Sequence, residues 1–401
     1  MKVALVHDHL AQDGGAEKVL KVFADMFPEA PIYTLLCDKK NAEKYYKGRK
    51  IETSIIQKLP GGIKHYQWYM PFMPMAVEFF DLGSYDLVIS DASAFAKGVI
   101  TRADCLHICY CHTPTRYIWS DTHQYISELK YNKYLKKIIS LVLNYIRLWD
   151  RQAADRVDKF IANSRTVKRR IKKYYRRDSI VIYPPVEVDK FYISKEIGDY
   201  YLIGCRLAPY KRVDIVIEAF KKLESIPNPP LNPLPRGDFS ALPALPRGDF
   251  PGEGNYKLKI FGDGIDLPRL QKIAGNADNI EFLGRVAEEE KAELYSRAQA
   301  FLHPQEEDFG ITPVESMASG RPVIAFGKGG ATETVIEGKT GIFFNSQTPE
   351  AIMAAVKSFN NYNWNPQAIR EQAKQFSEEN FRKKIKEFIE EEWKKFLVNS
   401  K

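Results

Sequence analysis

Long apolar runs are missing from this sequence. The longest, at 138–146, is interrupted by Ser140 and Asn144, well short of the roughly 20 residues that span a bilayer. Cysteine is scarce: the five residues are an odd number without scaffold-like spacing, so a reducing compartment is the simplest reading. The opening MKVALVH enters a strand pattern with no charged-then-apolar leader, and a cytoplasmic protein is expected. G-x-G-x-x-G is absent, which argues against a nicotinamide or flavin dinucleotide. Acidic residues are sparse in one stretch. Residues 130–177 hold sixteen basic and three acidic side chains, a balance of +13 within a total of +8, so the remainder sums to −5. That density calls for an anionic partner such as a membrane surface, a lipid-linked phosphate or nucleic acid. Nucleic acid is disfavoured because no recognition motif accompanies the charge.

What is present is an alternation of strand and helix patterns over 401 residues, enough chain for two cores. Residues 2–7 (KVALVH) are apolar almost throughout, as in a parallel strand covered on both faces. Gly14 and Gly15 follow, then a helix pattern with Val19, Leu20, Val22, Phe23 and Met26 on one side. Stretches 85–90 (YDLVIS) and 105–112 (CLHICYCH) predict further buried strands. The second ends on His112, at the carboxyl end where open α/β sheets place ligands. The aromatic, Met- and Pro-rich stretch 58–82 reads either as core and loop packing or as a surface for an acceptor or membrane. From 129 to 173 runs a long helical region, with the strand KFIANS (159–164) ahead of the helix RTVKRRIKKYYRR (165–177); Leu135, Ile138, Ile139, Val142, Tyr145, Ile146 and Trp149 keep helical spacing in its first part, with lysines and arginines between. It reads as a solvated basic face over a core helix or as a membrane-surface helix.

A Pro pair in 180–191 (IVIYPPVEVDKF) reads as a hinge, and a second α/β series begins at 200–206 (YYLIGCR). Residues 225–255 interrupt it with a Pro/Gly-rich segment holding LPRGDF at 234–239 and 245–250. Such composition builds no core and predicts a mobile loop. The chain closes on an amphipathic helix pattern after Ser377, a fitting N-cap.

The second half is organised around 303–334, HPQEEDFGITPVESMASGRPVIAFGKGGATET. A short strand leads into an acidic, Gly-containing turn, and a helix pattern follows over about 312–319. A strand (PVIAF), a second Gly-rich turn and a helix (ATETVIEG) complete it. Glu307 lies in the turn and Glu315 in the helix, with seven residues between them. Phe309 and Gly310 let the backbone approach a ligand closely, and a helix N-terminus offers N–H groups to an anion. Carboxylates suit hydroxyls and the helix end suits phosphates, which together is the chemistry of a nucleotide-sugar site.

EEDFGITPVE, CRLAPYKRVD, FGDG, FLGRV, GKGGATETV, IANSRTV and DGGAEKVL together resemble the retaining glycosyltransferases of family 4, the group 1 transferases. The resemblance covers nearly the whole chain except the Pro-rich insert. It implies the α/β GT-B fold, two Rossmann-like domains facing a cleft. Residues 1–192 would form the acceptor-side domain and 193–375 the nucleotide-sugar domain, with the helix in 376–401 crossing back to the first. It implies Glu315 on the ribose hydroxyls and Glu307 on the transferred sugar. Ile311 and Thr312 would turn backbone N–H groups to the diphosphate beside Phe309 and Gly310. Arg206 and Lys211 would neutralise the leaving diphosphate, and Gly14 and Gly15 would approach the phosphates or the acceptor. His112 would contact the donor sugar and help polarise the reacting centre. Arg285 is a weaker candidate, because the family reads the base largely through backbone.

The resemblance implies no metal and no cofactor beyond the donor itself. YTLLCD, LHICYCHTPTRYIW and VIYPPVEVDKF resemble the mannosyltransferase branch of polysaccharide and O-antigen assembly. The implied donor is GDP-mannose, and the implied acceptor is a glycan or lipid-linked glycan. The implied place is the cytoplasm, at the inner face of the cell membrane, with anionic lipid against 129–177. The alternatives are a UDP-sugar donor and a non-catalytic nucleotide-sugar-binding or scaffold protein. Cys109-x-Cys111-His112 is a poor zinc set, since alternate strand residues face opposite ways and no second ligand pair is evident. His7-Asp8-His9 is the other metal-like cluster.

Overall fold

The computed structural model describes residues 1–11, 14–224 and 256–399. The 225–255 stretch, expected to be a mobile insert, lies outside the described residues. The chain divides into two compact units, Met1–Val186 with Phe376–Lys401, and Glu187–Gln375.

The first unit is built on β1 (Val3–His7), β2 (Ile32–Thr34), β3 (Ile51–Thr53), β4 (Leu87–Ala92), β5 (Leu106–Cys111), β6 (Lys159–Ala162) and β7 (Ser179–Val181). They form one parallel sheet in the order β3-β2-β1-β4-β5-β6-β7. Apolar side chains leave both faces of the central strands, so both faces are covered. On one face Val6, Val88, Cys109 and Phe160 meet Val77 of the helix Met73–Glu78, Ile146 of Lys133–Asp155 and Ile171 of Arg165–Tyr175. The helix, strand and helix expected over this stretch are present as Lys133–Asp155, β6 and Arg165–Tyr175.

On the other face Leu5, Ile89, Ile108 and Tyr110 meet Phe23 of the helix Gly15–Met26 and Phe381, Ile385 and Ile389 of Glu378–Asn399. Those last three recur every fourth residue and so line one side of the terminal helix. Each is worth roughly 1.5–3 kcal/mol of burial. Ser377 Oγ accepts the Asn380 N–H at 3.3 Å, capping the helix start.

In the second unit β8 (Tyr200–Gly204), β9 (Lys257–Phe261), β10 (Ile280–Gly284), β11 (Phe301–His303), β12 (Val323–Phe326) and β13 (Gly341–Phe344) form a parallel sheet ordered β10-β9-β8-β11-β12-β13. Two local readings differ from the sequence expectation. The ATETVIEG helix is only Ala331–Thr334. Past it Val335 is extended, and the chain turns on Gly338 (φ 70°) while the Ile336 N–H donates to Thr340 Oγ1 at 2.8 Å. A helix not anticipated, Pro366–Lys374, is started by Asn365, whose side chain accepts the Ala368 N–H at 3.0 Å.

Both sheets reverse their winding direction beside their first strand, between β1 and β4 and between β8 and β11. Such switch points leave a crevice at the carboxyl ends of the strands, where this class of sheet binds ligands.

Candidate functional site

In the second unit the candidate residues collect at the β8/β11 switch point. The loop after β8 carries Arg206 and Lys211, and the turn after β11 carries Glu307. Lys211 Nζ pairs with Glu307 Oε1, bridging the two loops. Gln305 Nε2 donates to the same oxygen at 3.2 Å. Glu306 is exposed, so Glu307 is the turn carboxylate engaged by this lysine. Tyr210 sits between the two cations, its hydroxyl 3.2 Å from Arg206 Nη2 and its ring 5.1 Å from Lys211 Nζ. Arg206 itself is exposed.

The helix Ile311–Ala318 begins directly after the turn. Its first amides have no intrahelical acceptor, and Pro313 carries no N–H, so Ile311 and Thr312 supply the earliest donors. Gly310 precedes them at φ 88°, a left-handed conformation that favours glycine. Phe309 is buried beneath the turn. The second Gly-rich turn closes on the first: Gly330 N–H donates to the Glu307 carbonyl at 2.8 Å, and a Cβ at Gly330 would collide with the Phe309 backbone.

Glu315 lies one turn into the helix and is buried. Lys291 Nζ donates to its Oε1 at 2.8 Å and Tyr295 OH to its Oε2 at 3.2 Å. Burial, reinforced by Glu315, holds the Tyr295 phenol well above its usual range, so it stays a donor. Neither Lys291 nor Tyr295 was marked by any sequence motif. Arg285 is exposed with Asp263 Oδ2 3.4 Å away.

The first unit has a polar centre at the matching place, between β1 and β4. His112 Nε2 lies 2.6 Å from Asp91 Oδ1, and His7 Nδ1 lies 2.9 Å from Asp91 Oδ2. The register explains the meeting, since His7 and Asp91 are paired across β1 and β4 and Asp91 pairs with Tyr110 across β4 and β5. Glu17 Oε1 is 4.0 Å from His7 Nε2, and Glu17 Oε2 accepts the Gly14 N–H at 3.0 Å. The Gly14-Gly15 turn is thereby tied to His112 through Glu17, His7 and Asp91. Burial opposes charge on His7, yet Asp91 and Glu17 outweigh it and raise its pKa to about 10. Burial likewise opposes ionisation of Asp91, but His112 and His7 hold it below the usual carboxylate range. The sequence marked His7 only as part of a metal-like cluster and gave no sign of Asp91 or Glu17, because 84 residues separate His7 from Asp91.

The loop after β5 is fixed by Asp150 of the 133–155 helix. Its carboxylate takes Lys97 Nζ and accepts Trp119 Nε1 at 2.7 Å and Tyr175 OH at 2.8 Å. Neither metal-like cluster has the geometry of a metal site. Cys109 and Cys111 are buried in the core while His112 turns to Asp91. Asp8 is consumed by the N–H groups of Ser93, Ala94, Phe95 and Ala96, at 2.6–2.8 Å.

Residues 13–190 match the family model described as Glycosyltransferase Family 4, and residues 239–392 match that of Glycosyl transferases group 1. The chain belongs to the family 4, group 1 glycosyltransferases. Relatives within the family include an uncharacterised glycosyltransferase of Methanocaldococcus jannaschii, 25% identical over 58% of each chain, just over half of that relative's length. The alpha-1,3/1,6-mannosyltransferase of Schizosaccharomyces pombe is 23% identical over 85% of this chain and 70% of its own. Among solved structures, Anabaena HepE in complex with UDP and glucose superposes with a TM-score of 0.67 at 18% identity, covering 97% of this chain and 99% of that one. Sucrose-phosphate synthase from Thermosynechococcus elongatus gives 0.68 at 14% identity, over 98% and 99%. The two parallel sheets are those of the GT-B fold seen in glycosyltransferases of this kind.

Proposed function

We propose that this glycosyltransferase moves a hexose, with mannose from GDP-mannose as the first choice, to a glycan or lipid-linked glycan with retention of configuration. The carrying observation is the Lys211–Glu307 pair at the β8/β11 switch point, beside the start of the helix Ile311–Ala318. A leaving diphosphate gains charge as the glycosidic bond breaks, and cations and helix-end amides aimed at it lower that barrier. Lys211, Arg206 and the Ile311 and Thr312 amides take that role, with Phe309 and Gly310 shaping the approach. Glu307 takes the transferred sugar's hydroxyls, and Glu315, held by Lys291 and Tyr295, takes the ribose diol. His112 polarises the reacting centre, and Gly14 and Gly15 lie toward the phosphates or acceptor.

The acceptor hydroxyl attacks from the side the diphosphate leaves, and the departing phosphate takes the proton, so no protein base is assigned. No metal is required in this reading; rates should withstand a chelator. Similarity to the S. pombe mannosyltransferase supports the mannosyl donor, whereas similarity to HepE, solved with UDP and glucose, favours a UDP-hexose as the second reading. Thermal shift against GDP-, UDP- and ADP-sugars separates them, because a bound donor raises the melting temperature by mass action. Saturable donor binding without turnover over a broad acceptor panel would instead support a non-catalytic sensor or scaffold.

No helix among the described residues is long and apolar enough to cross a membrane. The proposal places the enzyme at the inner face of the cell membrane, with residues 129–177 against anionic lipid. Lys168, Arg169, Lys172, Lys173 and Arg176 are all exposed on one helix and its end, which supports that contact. Vesicle sedimentation insensitive to anionic lipid would sink it.

A further inference from the structure

We propose that the segment Tyr66–Phe72 with Met73–Glu78, outside the 129–177 contact, is a second membrane-seated stripe. Together with the 133–155 helix it forms one broad face whose occupant is the acyl–headgroup boundary of an anionic bilayer. This rests on the peripheral contact proposed above and extends it to a part of the chain with almost no charge.

The 133–155 helix has two apolar stripes. Leu143, Ile146, Trp149 and Ala153 are buried against the sheet. Tyr134, Ile138, Leu141, Tyr145 and Leu148, spaced four, three, four and three residues apart, fall within a narrow arc of the helix and are all exposed. Leu141 reaches 72% and Leu148 63%. Lys133, Lys137 and Arg151 flank this outer stripe on the helix. A core needs only the first stripe.

The second segment repeats the arrangement. Met73, Ala76 and Val77 are buried in the same cluster as Leu143, Ile146 and Trp149. Trp68, Phe72, Met75 and Phe79 are exposed, Trp68 at 67% and Phe79 at 68%. Both segments cover the same face of the seven-stranded sheet, so their outer sides look the same way. They are also tied together: Trp149 Nε1 donates to Glu78 Oε1 at 2.8 Å, and Arg156 Nη2 to the same oxygen at 2.7 Å. Nine large apolar side chains thus lie on one side of one unit, beyond the scattered exposure ordinary for a surface.

Charge selects the occupant. A second copy docking through this face would set one +13 stretch against another, whereas anionic headgroups complement it. Exposed Trp and Tyr with Leu, Ile and Phe beside lysines are the composition of helices that lie in a bilayer interface.

The test uses the full chain and vesicles of phosphatidylcholine alone or with phosphatidylglycerol. Binding should require phosphatidylglycerol. Trp68→Ser with Phe79→Ser, and Leu141→Ser with Leu148→Ser, should each weaken partitioning by about tenfold or more. With brominated lipid in the mixed vesicles, fluorescence should be quenched in the parent chain and largely spared in Trp68→Phe, a substitution that keeps the apolar surface. If Trp68→Phe is quenched as strongly as the parent, or the Trp68/Phe79 double variant binds as well as the parent, the second stripe is wrong. In that event, loss of binding on charge reversal at Lys168 and Lys172 would leave the 129–177 contact standing. No vesicle binding at all overturns both. A dimer in sedimentation velocity that the Trp68/Phe79 variant dissociates would assign the stripe to a second copy instead.

Discussion

Two carboxylates stand at equivalent places in the two sheets, Asp91 between β1 and β4 and Glu307 after β11 beside β8, and they are held in opposite ways. Asp91 is fully buried between two imidazoles, and each of its oxygens meets one of them. Glu307 is partly exposed and pairs with a single flexible lysine. A buried carboxylate with fixed partners is a rigid support. A lysine–glutamate pair at the mouth of a switch point can part when a sugar and a diphosphate arrive, one for each partner. The difference separates a group that positions from groups proposed to meet substrate.

The greatest effect is expected at Glu307. Glu307→Ala and Lys211→Ala should each lower kcat by about 10²–10³ with a verified donor, the range found when a group stabilising developing charge is removed. The double variant should lose far less than the product of the two, because the groups act as a pair. Unchanged rates in either single variant would remove the assignment.

Asp91→Asn should cost less, about 10–100-fold in kcat, because it releases His112 without removing it. If it matches Glu307→Ala, the contrast between support and reacting group fails. The same centre makes a pH prediction. Protonated His7 has a raised value in the fold, so its stabilisation is complete below its ordinary value of about 6.5 and disappears as pH rises toward about 10. Denaturant titrations should show stability falling across that window, by an amount on the order of a few kcal/mol. In His7→Gln the fall should be largely absent. A flat profile in the parent chain would show that His7 is neutral.

Lys291→Ala should raise the donor KM by about tenfold and change kcat little, since it orients Glu315 rather than touching the reacting bond. Tyr295→Phe, which removes one neutral donor from the same carboxylate, should raise KM by a few fold. A kcat loss in either would move Glu315 from donor binding toward the chemistry.

The second centre was largely legible in the sequence because its pieces are close in the chain. Glu307, Phe309, Gly310, Ile311, Thr312 and Glu315 fall within nine residues, and a turn feeding a helix start needs Gly, an N-terminal amide and an acid at fixed offsets. Lys211 is distant but carries its own motif. The first centre gave His112 and the glycines, with His7 marked only as a metal-like neighbour of Asp8 and His9. The partners of His112 come from strands whose pairing is set by burial of Leu5, Ile89 and Ile108, none of which advertises a polar neighbour.

Apolar periodicity, glycine placement and charge density, all local in the chain, thus determined the α/β class, the acidic, Gly-containing turn ahead of the helix Ile311–Ala318 and the basic stretch. Sheet register and helix packing decided the rest: that Asp91 stands between His7 and His112, that Lys291 and Tyr295 hold Glu315, and that one of two apolar stripes on the 133–155 helix is left outside. Period and spacing along a chain report which side chains share a face. Only the closing of a sheet and its layers reports which faces meet, because those contacts join residues that no local pattern links.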